Sequence, residues 1–506
     1  MATLAPHYAD VQGAISERPI ARGSVSRILP LVLFLAGAII NSIAYWSLAP
    51  VVVFVIMAMF ILGTMRLVDS KGRHERVAIL LVFTICFFWA GVSASFVEIF
   101  GKASQDPDST YFHDLVNDRD ISPIEDAVDV RPEDDSFSVW RVAYDVFAVS
   151  LLQNAGVILV WRVAYDFFGF LGLGDGRYIG ITLNIAFVAL TAAMGVKMVR
   201  AIYGDDEWRI RRFTILFSVC GMFWLFGSLH IRDAMALFCV TFLALFWAKY
   251  LVAPRLGNSL NLVVTTAVAF AFFGLVRTEF FFVPFAMILA GGAAKVFGTS
   301  SSMTKSVLPY VVLAGAIIGV ASAAIIFPQV FDTIATLLTA REKVYSEVSA
   351  REGGNDSLGN QLILNQPGPL RAVLGTAYLL VSPIPFWGGM LSSTAYHVYK
   401  SLHVIFMYFA LPMFALGVWR LAKFKSLRRP SLLFLAFSFI GFAASVGYTS
   451  LETRHIGAFL VLFLVFAVLP DPRVEPDRKM YKLFLASMLA FIVPLHLTWL
   501  FYKLVT

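Results

Sequence analysis

The sequence predicts an all-α polytopic membrane protein of about 13 transmembrane helices, with external juxtamembrane helices and one re-entrant or surface segment. Three observations carry this. Of 506 residues, 59% are hydrophobic and only 14% charged, where a soluble domain carries roughly a quarter. The mean hydropathy is +0.77. Apolar runs of about 17–25 residues, long enough to span the hydrocarbon core, recur along the chain. The 35 Gly and 21 Pro sit inside such runs, where membrane helices tolerate them. A water-soluble enzyme, a disordered chain, a coiled coil and a disulfide scaffold are all excluded. Cys86, Cys220 and Cys239 fall within apolar spans and read as small buried hydrophobes.

The first 27 residues are polar, with Arg18, Arg22 and Arg27 and no cleavable-signal pattern, so a cytoplasmic tail is expected. Spans are expected near 28–48, 50–67, 77–99, 179–202, 213–230, 233–252, 260–276, 279–297, 306–328, 397–420, 431–449, 455–470 and 481–503. Residues 28–76 read as an added hairpin and 77–328 as the main module. An external loop at 329–396 and the closing helices at 397–506 follow. Orientation comes from basic residues in short loops. Six clusters qualify: Arg66 to Arg76, Lys197 to Arg212, Lys249 with Arg255, Lys295 with Lys305, Lys423 to Arg429, and Arg473 to Lys482. With the N-terminus inside, all six are cytoplasmic. The net charge of +7 then reflects membrane orientation and calls for no nucleic acid.

Two long segments then face outward. Residues 101–139 carry eleven Asp or Glu against three Lys or Arg. Ser138–Gly172 follows, with a near-repeat at Trp140–Asp145 and Trp161–Asp166 that pairs Arg with Asp at i,i+4. Two helices along the outer surface are expected there, with a hairpin of short spans as the alternative. In the second segment, Asp332 to Ala350 reads as a helix and Arg351 to Asp356 as a break. Leu370 to Leu380 ends in Ser382-Pro-Ile-Pro-Phe-Trp387, whose prolines favour a re-entrant or surface element over a span.

Ionisable residues at membrane depth are functional suspects. Four groups map to the same outer face: Asp106-Pro-Asp108-Ser-Thr-Tyr111-Phe-His113-Asp114, His230-Ile-Arg232-Asp233, Arg277-Thr-Glu279 and Glu452-Thr-Arg454-His455. Any one Arg at a span end reads as a snorkelling anchor, and an Arg beside a carboxylate as a structural ion pair. His113, His230 and His455 have no metal-ligand spacing, while Asp106 and Asp108 could hold a divalent cation such as Mg or Mn through oxygen. The convergence on one face suits sugar transfer from a lipid phosphate. That reaction needs a carboxylate to deprotonate the acceptor and cations to take up the departing phosphate, a task for the guanidinium fork.

The order of these pieces resembles the C-type superfamily of integral membrane glycosyltransferases, which use polyprenyl-phosphate-linked sugars. Asp108-Ser-Thr-Tyr111-Phe-His113 is similar to that family's external Asp-(Glu or Ser)-x-x-Tyr pattern, and 138–172 to its juxtamembrane helices. The stretch Asn184 to Leu251 is similar to segments of its bacterial members. Glu452-Thr-Arg454-His455 resembles its late Glu-x-Arg-Tyr motif, with His in the Tyr place. The likeness spans roughly 77–470, and its motifs are short. It departs in placing the acidic loop after the third span and in having Asp108-Ser109 for the usual Asp-Glu pair. The resemblance implies Asp108 as base, with Asp106 as alternative, and Arg454, Arg232 and then Arg277 as donor-phosphate contacts. Tyr111, His113, Asp233, Glu279, Glu452 and His455 support them. It implies a polyprenyl-phosphate sugar donor, a glycan or lipid-linked acceptor, and a bacterial inner membrane with the site on the external face. A polysaccharide polymerase or ligase is the alternative, disfavoured by the acidic first loop. A secondary transporter would need charges at the midplane, where this sequence has few.

Overall fold

A chain inside a bilayer has no water to satisfy its backbone, so helices must close every N–H and C=O internally. The computed structural model describes residues 25–69, 72–98, 107–117, 155–298, 363, 366–390 and 394–505, and among them there is no strand. Nine helices among the described residues are long and apolar enough to cross a membrane, or ten if one bent pair forms a span. The chain is a multi-pass membrane protein. The expected tail, the acidic run after Asn117, the first copy of the near-repeat, the 306–328 span and the 332–350 helix lie outside the described residues.

The first three helices, α1 (Val25–Ala44), α2 (Ala49–Val68) and α3 (Arg73–Glu98), close around Phe34, Phe54 and Phe87, the last two stacked at 3.9 Å. Asn41 of α1 donates to the Phe87 carbonyl at 3.0 Å, seating the 28–76 hairpin firmly on α3. Two shorter helices follow, α4 (Pro107–Asn117) and α5 (Ala155–Phe170). Next comes α6 (Tyr178–Tyr203), the most enclosed candidate span, with 83% of its apolar window buried. Glycines let neighbours approach it, as small residues do in membrane bundles: a Cβ at Gly195 would overlap the Phe213 ring.

The expected 213–230 span is the bent pair α7 (Glu207–Ser218) and α8 (Gly221–Ser228), which meet at 58°. The Asp206 carboxylate caps α7 by accepting from the Trp208 and Arg209 amides. At the break, the Ser218 carbonyl accepts from Trp224 Nε1 at 2.7 Å, which satisfies a group freed by the kink. Gly221 then presses against the Tyr399 carbonyl, where a side chain would clash. Three further helices run back and forth, α9 (Asp233–Val252), α10 (Leu256–Val276) and α11 (Val283–Phe297), the last after a 3-10 turn at Thr278–Phe282.

The second half holds α12 (Gly368–Val381), α13 (Phe386–Met390), α14 (Ala395–Lys423), α15 (Pro430–Thr449), α16 (Arg454–Gly457), α17 (Leu460–Ala467) and α18 (Glu475–Val505). The expected 455–470 span is corrected here to α16 and α17. The eight residues of α17 reach only about 12 Å, and each is at most 1% exposed. Its apolarity serves contact with protein on all sides. By contrast, only 11% of the α18 window is buried, so that helix is apolar toward lipid. At 14 residues, α12 is about 21 Å long, too short for a core of about 30 Å. Gly375 and Gly447 bring its backbone onto α15. It starts beside Tyr448 and ends midway along α14, where Val381 accepts from the Tyr408 hydroxyl. The chain turns through Pro383 and Pro385, where the Phe386 amide donates to His496 Nε2 at 3.3 Å, and returns to the head of α14.

Contacts gather the basic loop segments at one end. Lys197 meets Asp69 at 3.4 Å, Arg200 meets Glu75 at 2.9 Å, and Arg420 meets Asp477 at 2.8 Å. Arg212 donates to the Pro470 carbonyl, Arg473 lies over Trp208, and Lys295 binds the Tyr250 hydroxyl. Gly298 abuts Pro430, the residue after the 423–429 loop. The described parts of the four groups singled out from the sequence lie at the opposite end.

Candidate functional site

At that far end, α4 is docked onto the turn between α8 and α9. The turn itself is built by Asn184 of α6. This fully buried amide donates to the Leu229 and Ile231 carbonyls, both at 2.8 Å, and accepts from Trp161 Nε1 of α5 at 3.3 Å. The His230 amide donates to Ser109 Oγ of α4 at 3.3 Å. Phe112 packs on Trp161, and the Arg232 guanidinium lies 5.8 Å from the Phe112 ring centre. Arg162 of α5 donates to the Leu115 carbonyl. The first turn of α4, which carries Asp108, is thereby held beside the Arg232 turn. A carboxylate at that position is favoured by the partial positive charge of a helix N-terminus.

His230 is sandwiched in this dock. Its ring lies 4.2 Å from Trp161 and 6.1 Å from both Tyr165 and His113, and it rests on the Gly180 backbone. Neither ring nitrogen has a hydrogen-bond partner among the described residues. Burial, then the charges of His113 and Arg177, push its pKa well below the usual imidazole value. His113 is also pushed down, by burial and then by Arg177, against the pull of Asp114 and Asp175. It pairs with the Tyr165 hydroxyl at 3.0 Å. Tyr111 is exposed beside it.

The other three groups meet around the ends of α9, α10 and α15. Asp233 opens α9 and pairs with Arg277, which closes α10, at 3.0 Å; both side chains are 5% exposed. Arg277 therefore stands as the partner of Asp233. Glu452, Arg454 and His455 follow α15. The Ser450 hydroxyl takes the Glu452 amide at 3.2 Å and lies 2.8 Å from His455 Nδ1, which shapes the turn. The charges of Arg277, Arg454, Arg232 and Lys400 all reach His455.

Glu452 Oε1 is the focus of this turn. It accepts from the Tyr396 hydroxyl at 2.6 Å, from Lys400 Nζ at 2.9 Å and from the Arg454 amide at 3.4 Å. Burial would raise its pKa, but Lys400 and Arg454 outweigh this and bring it down to about 2, with help from Tyr396. Tyr396 also lies under both cations, 5.0 Å from Lys400 and 5.9 Å from Arg454. Four cations thus share this region with two described carboxylates, Asp233 and Glu452. A partly buried, cation-rich patch is suited to an anionic group, because burial strengthens each charged contact.

Arg232, Asp233, Arg277, Glu452, Arg454 and His455 are thus brought together, with α4 alongside. Asp106 and the side chains of Asp108 and Glu279 lie outside the described structure. The expectation of Mg or Mn at Asp106 and Asp108 therefore rests on sequence. Among the described residues, no three His, Cys, Asp or Glu form a metal-binding group, and His455 stands apart from the His113–His230 pair. Sequence reasoning missed Lys400, Tyr396 and Asn184. Tyr396 and Lys400 at i,i+4 in the first turns of α14 were the available signal. Compared with protein-family models, curated proteins and solved structures, the chain matches none.

Proposed function

We propose that the chain is a membrane-embedded glycosyltransferase that moves a sugar from a polyprenyl-phosphate or related lipid-phosphate donor to an acceptor at the outer face. The acceptor would be a growing glycan or a lipid-linked one, as in cell-envelope or exopolysaccharide synthesis in a bacterial inner membrane. The observation that supports this best is the placing at one end of the bundle of two cation–carboxylate pairs, Arg277 with Asp233 and Lys400 with Glu452, with Arg454 over Tyr396 and the start of α4 docked on the Arg232 turn. In this reading the end bearing the basic loops is cytoplasmic. The α5 helix then lies along the outer surface, and α12 with α13 dips in from that face as a re-entrant hairpin.

The chemistry this reading assigns is as follows. Asp108, or Asp106, takes the proton of the acceptor hydroxyl, whose oxygen attacks the anomeric carbon. The bond from that carbon to the phosphate oxygen breaks, and the departing phosphate carries its charge onto Arg454 and Arg232. Two parallel N–H donors from a guanidinium match two phosphate oxygens. Asn184 and the Arg277–Asp233 pair hold the turn that presents Arg232.

The 58° break between α7 and α8 is the feature a transporter would share. It carries Cys220 and His403, 3.5 Å apart, with no Asp, Glu, Lys or Arg at the break. The test is to place the purified protein in lipid nanodiscs and offer a panel of polyprenyl-phosphate sugars with glycan acceptors. Consumption of one donor with release of polyprenyl phosphate supports the reading. Movement of a solute across vesicles without donor consumption would replace it with the transporter.

A further inference from the structure

We propose that Glu452 is a built-in stand-in for the donor phosphate. Its carboxylate occupies the anion position on Lys400, Tyr396 and the Arg454 amide, and the phosphate of an arriving lipid displaces it. This rests on the lipid-phosphate reading of the site, and it makes Lys400 and Tyr396 ligands of the phosphate.

The donor set is the first reason. A hydroxyl, an ammonium and a backbone N–H converge on the one oxygen, Glu452 Oε1. A phosphate oxygen takes the same three donors. Two nearby guanidiniums, Arg454 and Arg232, could then receive its other oxygens. Exposure is the second reason. The Lys400 and Glu452 side chains are 13% and 24% exposed, whereas Arg277 and Asp233 are both at 5%. Of these two described ion pairs, the first is the more open to an incoming head group. The third reason is the backbone tether. The Glu452 amide is fixed by Ser450 Oγ, so rotation about the side-chain bonds moves the carboxylate off its three donors without moving that amide.

An internal anion of this sort keeps a buried cation paired between turnovers, when an unpaired one would be costly. It also sets a threshold, because each incoming phosphate must compete with a tethered carboxylate. Weak binders such as ordinary zwitterionic phospholipids are thereby refused.

The probe is polyprenyl monophosphate in nanodiscs of zwitterionic phosphatidylcholine, with polyprenol as the uncharged control and inorganic phosphate as the free anion. Glu452→Gln should bind the lipid phosphate about tenfold more tightly than wild type, because one charge-assisted contact is no longer contested. Lys400→Met should bind it at least tenfold more weakly. The same ranking with inorganic phosphate as the probe also supports the exchange, and the two probes separate a lipid head group from a free anion. Unchanged or weaker binding by Glu452→Gln, at wild-type thermal stability, overturns the proposal. If that variant does not fold, Glu452→Asp decides, since its shorter carboxylate holds the three donors less well: tighter binding supports the exchange, equal or weaker binding overturns it. Wild type that binds neither probe would remove the lipid-phosphate reading itself, which is a separate outcome.

Discussion

Removing Asp233 tests whether Arg277 serves the fold or the reaction. The two charges are 3.0 Å apart with side chains only 5% exposed. At an effective dielectric of about 20, their attraction is about 5–6 kcal/mol, and much of it offsets the cost of taking both out of water. Deleting one partner loses the attraction, and the desolvation cost of the other is no longer offset by it. Asp233→Ala and Arg277→Met should therefore each destabilise by about 3–5 kcal/mol. The double variant removes both charges and should cost far less than the sum. Reversible unfolding in detergent micelles, read as a double-mutant cycle, gives the coupling. Additivity within about 0.5 kcal/mol would refute the reasoning, since uncoupled sites behave that way. Donor turnover in the double variant separates the roles. Retained activity leaves Arg277 as the support of the Arg232 turn, and lost donor binding makes it a phosphate ligand.

Four other outcomes are expected. Asp108→Asn keeps the shape but not the basicity, so turnover should fall by about two to four orders of magnitude with donor binding intact; an active Asp108→Asn with a dead Asp106→Asn would exchange the two. Gly180→Ala should destabilise by about 1–3 kcal/mol, because its Cβ would overlap the His230 ring. His230 also sets a pH response: the unfolded imidazole titrates near 6.5 and the buried one well below, so the unfolded chain gains the proton first and stability falls as pH drops below about 6.5. His113 acts in the same direction, so in His230→Phe the slope should lessen by up to about 1.4 kcal/mol per pH unit, one proton's share; an unchanged slope contradicts this burial. Finally, cysteines placed at Ser122 and Ser357 should react with a membrane-impermeant thiol reagent in intact cells, and protection of both would reverse the orientation.

The helical class and most spans were legible, because a bilayer forces apolar runs of a fixed length. What hydropathy could not separate is lipid contact from burial in protein. Val461, Phe463 and Val465 are as apolar as a span, yet they belong to an eight-residue helix enclosed on every side. The break before Gly221 was hidden for a similar reason, since it depends on Tyr399 and His403, far away in sequence. At the site, Arg232, Arg277 and Arg454 were visible because a charge next to a span is rare enough to notice. Their partners were not: Asp233 reads as the neighbour of Arg232, but it pairs with Arg277, 44 residues on. Lys400 lay inside the expected 397–420 span, and only the fold brings it to Glu452. Asn184 gives no sign in sequence that it holds a turn from another helix.

The proposed binding of a lipid phosphate by the far-end cluster is tested most directly by Arg454→Lys. A snorkelling anchor tolerates Lys, which also reaches the interface. A phosphate fork does not, since Lys offers a point charge in place of two parallel donors. Affinity for a polyprenyl-phosphate sugar, measured in nanodiscs against wild type at matched folding, should weaken by about 1–3 kcal/mol in Arg454→Lys, with turnover falling alongside. Wild-type affinity and turnover in that variant would return Arg454 to an interfacial anchor and contradict the account.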